Sequence, residues 1–223
     1  TVPFKNLIIP FLDDLDTVAK ETQSVNTLFK VNNKIIGYNT DSLGFKETIT
    51  KLYPHKENPI KQGPLEGKNV FILGAGGVSS SIIFALYKSG AKIILSNRTK
   101  NKAEELKKLF PKLEILDWGE KPLNCNIVIN TTSVGLIKDE EIKIDFSDYN
   151  ESPHKDVLFY DLIYNPKETR FLKSARLRGN KTINGQMMFL NQAKYAFNLW
   201  TNIIPKIDNE VVKILDKWLK LEF

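Results

Sequence analysis

Val70-Phe-Ile-Leu-Gly-Ala-Gly-Gly-Val-Ser79 is an apolar run that ends in glycines and gives way to a helical pattern, Ile82, Ile83, Leu86 and Tyr87. A second apolar run, Lys92 to Leu95, follows. Strand, glycine turn, helix and strand form the βαβ unit that holds a dinucleotide. Gly74 permits the tight turn, Gly76 removes a side chain that would bar the phosphates, and the helix opening near Gly77 aims free N–H groups at them. Ala75 and Val78 complete the turn. The third fingerprint position is Ser79, not Gly or Ala, but still small enough for a helix to pack closely on a strand. Such a glycine pattern is weak evidence alone, and its flanking elements give it meaning.

The second run ends in Ser96-Asn-Arg-Thr99, with Lys102 one turn later. A site for NAD carries a carboxylate here for the ribose 2′-hydroxyl. This chain offers an amide, a guanidinium and a hydroxyl instead. A guanidinium grips a 2′-phosphate with paired charge-assisted hydrogen bonds, where a carboxylate would repel it. Asn97, Arg98, Thr99 and Lys102 therefore point to NADP; the plainer alternative is that Arg98 is a solvated surface residue.

From Asn69 onward apolar and amphipathic segments alternate: 69–73, 77–89, 92–96, 101–110, 113–116, 126–130 and 157–162. This is the rhythm of an α/β protein with a doubly wound, Rossmann-type parallel sheet. Ile137 to Lys155 interrupts it as a charged surface excursion. Before the glycine turn, Leu7 to Lys20 reads as a helix. Thr27–Val31 and Lys34–Tyr38 read as strands joined by an Asn32-Asn33 hairpin turn, and Asp41 to Leu52 as a helix. Pro54 to Pro64 is a polar connector. Helical patterns return from Gly185, where Met187, Met188 and Trp200 read as core, and again over Asn209 to Leu221.

The chain has 223 residues, 42% hydrophobic and 26% charged, with a net charge of +6, which describes a soluble globular protein. Its lysines are scattered, not gathered into a stripe, so a nucleic-acid partner is not expected. No apolar run reaches the length of a membrane span, and no membrane partner is expected. The lone cysteine, Cys125, reads as packing and suits a reducing, cytoplasmic compartment. His55 and His154 lie in polar loops far apart in sequence; neither has a role, and no metal site is expected.

Several separated motifs resemble the shikimate dehydrogenase family: Thr1-Val-Pro-Phe-Lys5, Ser24-Val-Asn-Thr27, Gly37-Tyr-Asn-Thr-Asp41, the Gly74 turn with Asn97-Arg-Thr99, and Asp161-Leu-Ile-Tyr-Asn-Pro166. Asn130-Thr-Thr-Ser-Val-Gly135 and Gly185-Gln-Met-Met-Phe-Leu-Asn-Gln192 carry the likeness almost to the last residue. The resemblance implies reversible, NADP-dependent reduction of 3-dehydroshikimate to shikimate, in the route to chorismate and aromatic amino acids. It implies a smaller, discontinuous α/β substrate domain, here residues 1–40 and 185–223, around an NADP-binding Rossmann domain at 41–184. The protein is expected as a monomer or homodimer with a small-molecule substrate.

By the same resemblance Lys5 and Asp41 are the catalytic pair. Lys5 would protonate the oxygen that gains charge as hydride arrives, and Asp41 would orient the ammonium and bind substrate hydroxyls. Thr1, Asn26, Asp41, Tyr164 and Gln192 match substrate-contacting positions. Gly74, Ala75, Gly76, Gly77, Val78, Asn97, Arg98, Thr99, Lys102, Leu162 and Gly185 match cofactor-binding ones, with Thr132 and Ser133 nearby. The blander alternatives stay open: Lys5 as a surface charge, Asp41 as a helix N-cap, Tyr164 as a core aromatic, Asn26 as a turn residue.

Two departures stand out. The family's N-terminal region, with its carboxylate-gripping serine pair, does not appear in these 223 residues, so the sequence is expected to be a fragment of a longer chain, and Ser42 stands where Gly is usual. A quinate-active relative, a non-catalytic ligand sensor and another Rossmann reductase are the rival functions.

Overall fold

The computed structural model describes residues 3–54, 63–137, 140–149 and 156–219. Thr1, His55 and His154 lie outside the described residues, as do residues 55–62 of the Pro54–Pro64 connector and residues 138–139 and 150–155 of the Ile137–Lys155 stretch.

Six parallel strands form the main sheet: β4 (Asn69–Leu73), β5 (Lys92–Ser96), β6 (Glu114–Leu116), β7 (Ile127–Asn130), β8 (Leu158–Asp161) and β9 (Lys181–Ile183). Their order across the sheet is β6-β5-β4-β7-β8-β9. The chain therefore starts in the middle, winds outward one way, and returns to wind the other. Between β4 and β7 the connections leave in opposite directions, opening a crevice at the strands' carboxyl ends.

Both faces of β4 are covered, which is why it reads as an unbroken apolar run. Val70 and Ile72 meet Ile82, Ile83 and Leu86 of α3 (Ser79–Lys88), while Phe71 and Leu73 face the opposite layer. That layer holds Phe171, Leu172 and Ala175 of α5 (Arg170–Leu177), a helix that, like β9, escaped the sequence reading. The segment read as a surface excursion also belongs to it. Ile142, Ile144, Phe146 and Tyr149 are buried there, and the Phe146 ring packs edge-on against Phe71, Phe159 and Phe171. Alternation at 142, 144 and 146 buries one side of an irregular segment while its charged neighbours stay in water, and those charges hid it.

A second sheet is small, with order β1-β3-β2: β1 (Asp14–Leu15), β2 (Thr27–Val31) and β3 (Lys34–Tyr38). β2 and β3 pair antiparallel through Asn32-Asn33, whose φ values of 49° and 64° are the left-handed pair that a two-residue hairpin needs. The expected helix over Leu7–Lys20 is not one element. A 3-10 turn at Ile9–Phe11 gives way to β1, and α1 runs only over Thr17–Thr22. Pro10 has no N–H for a helix to use. Asp13 pairs with both backbone groups of Ile35, and the Asp16 carboxylate caps α1 by accepting from Ala19 N–H at 2.8 Å.

Two helices join the sheets. α2 (Asp41–Leu52) and α6 (Gln186–Thr201) cross so closely that a β-carbon on Gly44 would stand 2.6 Å from the Gln192 nitrogen and 2.9 Å from the Met188 oxygen. α6 starts beside the end of β8, and near its other end Trp200, expected in the core, is instead exposed and donates its indole N–H to Leu28 O of β2 at 2.9 Å. α4 (Lys100–Leu109) packs beside β5 and β6, and α7 (Asn209–Leu219), which has no buried residue, accepts from Gln186 of α6 through Asp216 at 2.6 Å.

Candidate active site

At the crevice, Gly74 has φ +107°, and a β-carbon there would lie 2.7 Å from Thr132 Cγ2. Positive φ and close approach both demand glycine. Ser79, the departure from the fingerprint, is fully buried, and its hydroxyl lies 2.8 Å from that of Thr131. The Thr131 hydroxyl also reaches Leu73 O and Gly74 O, so β7 holds the turn in place.

Gly76 is different. A β-carbon there would meet nothing nearer than Thr131 O at 3.9 Å, so no packing within the protein excludes a side chain. Among the described residues, the N–H groups of Gly76, Gly77 and Val78 have no hydrogen-bond partner. An open cradle of donors at the start of α3 fits a pyrophosphate.

The second loop fits the rest of the nucleotide. Asn97 accepts from Ala75 N–H at 3.0 Å and donates to Thr99 O at 2.7 Å, tying the two loops together. Arg98, Thr99 and Lys102 are exposed at the N-terminus of α4, where Lys100 also sits. Among the described residues Arg98 and Lys102 have no ion pair, and the first turn of α4 carries no acid. Cations at this end of a helix oppose its dipole, whereas a phosphate there would be held by both.

Lys5 and Asp41, 36 residues apart, form a buried ion pair, each only 6% exposed. Asp41 is the first residue of α2 and does not cap it. The Asn39 side chain takes that part by accepting from Ser42 N–H at 3.1 Å, which leaves the Asp41 carboxylate to Lys5. Lys5 is held from behind, its carbonyl accepting from Val25 N–H at 2.9 Å. Its side chain runs past the nucleotide turn: a β-carbon on Gly77 would stand 3.6 Å from Lys5 Cβ and 3.7 Å from its Cδ.

Asn26 and Gln192 also meet, Nδ2 to Oε1 at 3.2 Å, and Asn26 accepts from Thr40 N–H at 2.8 Å. Tyr164 stacks on Phe189 of α6, with ring centroids 4.5 Å apart, and Gln192 donates to the Phe189 carbonyl. Leu162 and Gly185 are brought together: a β-carbon on Gly185 would run into the Leu162 carbonyl, and Gly185 N–H donates to Ile163 O at 3.0 Å. Thr132 and Ser133 follow β7 at the crevice. Cys125 is buried, and burial pushes its thiol up to about 12, so it stays protonated and unreactive. Among the described residues no three His, Cys, Asp or Glu side chains are placed to hold a metal, and no helix is long and apolar enough to cross a membrane.

The sequence reading missed Gly44, whose signal was a glycine inside a helical pattern, and the buried polar group around Asp161. Asp161 accepts from Thr169 Oγ1 at 2.6 Å, from Ile163 N–H and from Asn130 Nδ2, both at 3.0 Å. Asn130 in turn accepts from the N–H and hydroxyl of Thr132. The group ties the ends of β7 and β8 to the loops that line the crevice.

Burial raises the Asp161 carboxyl from 3.8 to about 6, against those three hydrogen bonds. An acid with a raised folded pKa keeps its proton to higher pH in the folded chain than in the unfolded one. Its contribution to stability is therefore fully present below about pH 4 and is lost by about pH 6, amounting to about 3 kcal/mol. Urea unfolding at pH 4 and pH 6.5 checks this: wild type should weaken, relative to Asp161→Asn, by about 2 kcal/mol over that interval. An equal pH dependence in both would refute it.

The profile of the shikimate / quinate 5-dehydrogenase family matches residues 58–168. A shikimate dehydrogenase (NADP(+)) of Pelagibacter ubique is 50% identical over 217 residues, covering 97% of this chain and 77% of the relative. A crystal structure of a shikimate dehydrogenase in complex with NADP+ is similar with a TM-score of 0.82 and 32% identity, covering 97% of this chain and 75% of that one. The Thermus thermophilus shikimate 5-dehydrogenase in complex with NADP(H) and shikimate has a TM-score of 0.73 and 30% identity, covering 92% and 73%.

Proposed function

Because the chain belongs to the shikimate / quinate 5-dehydrogenase family, we propose that it interconverts 3-dehydroshikimate and shikimate with NADP as hydride carrier. The observation that carries this reading is the buried Lys5–Asp41 pair beside the Gly77 turn. NADP, when bound, supplies or accepts the hydride. Gly74 to Val78 would hold its pyrophosphate, Asn97, Arg98, Thr99 and Lys102 its 2′-phosphate, and Leu162 and Gly185 the nicotinamide end.

In the reductive direction the ketone oxygen gains negative charge as its carbon is reduced. The Lys5 ammonium stabilises that charge and delivers the proton, and the lysine takes the proton back in the oxidative direction. Asp41 keeps the ammonium aimed and accepts from substrate hydroxyls. Asn26, Tyr164, Gln192 and, outside the described residues, Thr1 would contact the ring's polar groups, whose desolvation is costly unless each is matched. In this reading residues 1–40 and 185–223 form the substrate domain and 41–184 the nucleotide domain. The single buried thiol suits a cytoplasmic enzyme.

Nicotinamide absorbance, followed with shikimate or quinate and with NADP or NAD, tests the reading. Turnover is expected with shikimate and NADP; no turnover with any pair would defeat it. The free cations at α4 favour NADP over NAD. Arg98→Ala should raise KM for NADP by about tenfold or more, as expected for losing a charge-assisted hydrogen bond. KM for NAD should stay within about twofold, since NAD has no 2′-phosphate to grip. An equal effect on both cofactors would assign Arg98 another role.

A further inference from the structure

Asn39 is 1% exposed and is the most heavily shared polar side chain near the ion pair. Its Nδ2 lies 2.8 Å from Ser24 O, 2.7 Å from Ser81 Oγ and 3.1 Å from Thr22 Oγ1. With two hydrogens to give, it serves the two nearer acceptors, and its oxygen caps α2 at Ser42 N–H. One carboxamide thus touches the end of α1, the segment behind Lys5, the start of Asp41's helix, and α3, which begins at the nucleotide turn. Ser24 extends the chain of bonds, its hydroxyl donating to Gly77 O at 2.8 Å. Ser24, Ser42 and Ser81 are all buried.

We infer that Asn39 is a positioning residue, which fixes the Lys5–Asp41 pair in register with the nucleotide turn. The inference deepens the dehydrogenase reading and rests on it for its kinetic consequence. Asp41 sits two residues from Asn39 on the helix that Asn39 caps. Lys5 hangs from Val25, next to the Ser24 carbonyl that Asn39 holds. The Ser81 bond then ties this assembly to α3. It adds to the Ser24 bond to Gly77 O, so that two buried hydrogen bonds hold the proton donor against the element that carries the nucleotide turn.

Asn39→Asp separates positioning from folding. An aspartate still accepts from Ser42 N–H and can accept from the Ser81 hydroxyl, but it has no hydrogen for Ser24 O, and its charge faces that carbonyl. The expected result is a fall in kcat of about tenfold or more, the scale on which ångström misplacement of a catalytic group acts. KM for NADP should stay within about twofold, and the isotope effect with shikimate deuterated at the transferred hydrogen should rise, because hydride transfer becomes limiting. Ser81→Ala, which adds no charge and leaves the cap intact, should move the same quantities in the same direction by a smaller factor, and it carries the test if Asn39→Asp does not fold.

A readout independent of turnover is the rate at which Lys5 reacts with a small amine-acylating reagent, followed by peptide mass spectrometry. Release of the pair should raise it about fivefold or more, as expected when a buried group gains exposure. Unchanged kcat and isotope effect, or an unchanged Lys5 labelling rate, would overturn the inference. A wild-type protein without shikimate turnover would instead defeat the dehydrogenase reading, and the labelling rate alone would then decide the role of Asn39.

Discussion

Lys5→Met lowers kcat by about 10²–10⁴-fold while leaving NADP affinity within about twofold, the loss expected when a general acid–base group is removed. In the proposed reading nucleotide binding draws on the Gly74 turn and the Arg98 loop, and methionine refills the space that the Lys5 stem occupies beside Gly77. Stability responds separately. Methionine fills most of the lysine's volume but leaves the Asp41 carboxylate buried without its cation, at a cost of about 3 kcal/mol or more. Adding Asp41→Asn removes the stranded charge, so the double variant should regain stability without regaining activity. Stopped-flow kinetics and urea unfolding of wild type, both single variants and the double variant check this cycle. A Lys5→Met enzyme that turned over at a tenth of the wild-type rate would show that another group moves the proton. A double variant less stable than either single one would show that the pair is not the unit of burial described.

The second large effect is expected at Gly185. A β-carbon here meets the backbone carbonyl of Leu162, which cannot rotate aside as a flexible side-chain tip can. Gly185→Ala must push the start of α6 away from β8. That strains the Gly185 N–H bond to Ile163 O and moves the helix carrying Phe189 and Gln192. Overpacking of this kind costs about 1–3 kcal/mol, with the upper end expected where only backbone can yield. Both substrate and cofactor KM should rise, because the proposed reading puts Leu162 at the cofactor and Gln192 at the substrate. Unfolding midpoints and the two KM values are the measurement. Normal stability with both KM values unchanged would mean that residue 185 has room the structure does not provide.

The parts of the fold legible in the sequence were those whose cause is local. The Gly74 turn, the 69–73 and 92–96 strands and the Asn32-Asn33 hairpin are written in a few neighbouring residues, through glycine geometry, apolar runs and left-handed asparagines. What escaped depended on distant partners. Asp13 and Asp14 looked like helix residues until Ile35 and Ile36 came alongside to pair with them. The 140–149 segment looked solvated because its charges outnumber its apolar residues, yet alternate side chains bury against Phe71 and Phe159. In the site, the motif carrying Lys5 and the one carrying Asp41 were visible separately. Their buried contact could not be read from chemistry at a separation of 36 residues. Asn39 lay in plain view inside the Gly37–Asp41 motif, but asparagine before a helix reads as an ordinary cap, and only the fold shows its amide reaching Ser24 and Ser81.

α6 joins the two sheets as a single rod. Its 16 residues span about 24 Å. One end abuts Leu162, the other is tethered to Leu28, and Gly44 presses on its middle. Such a rod braces the hairpin, the helix that begins with Asp41 and the end of β8 against one another.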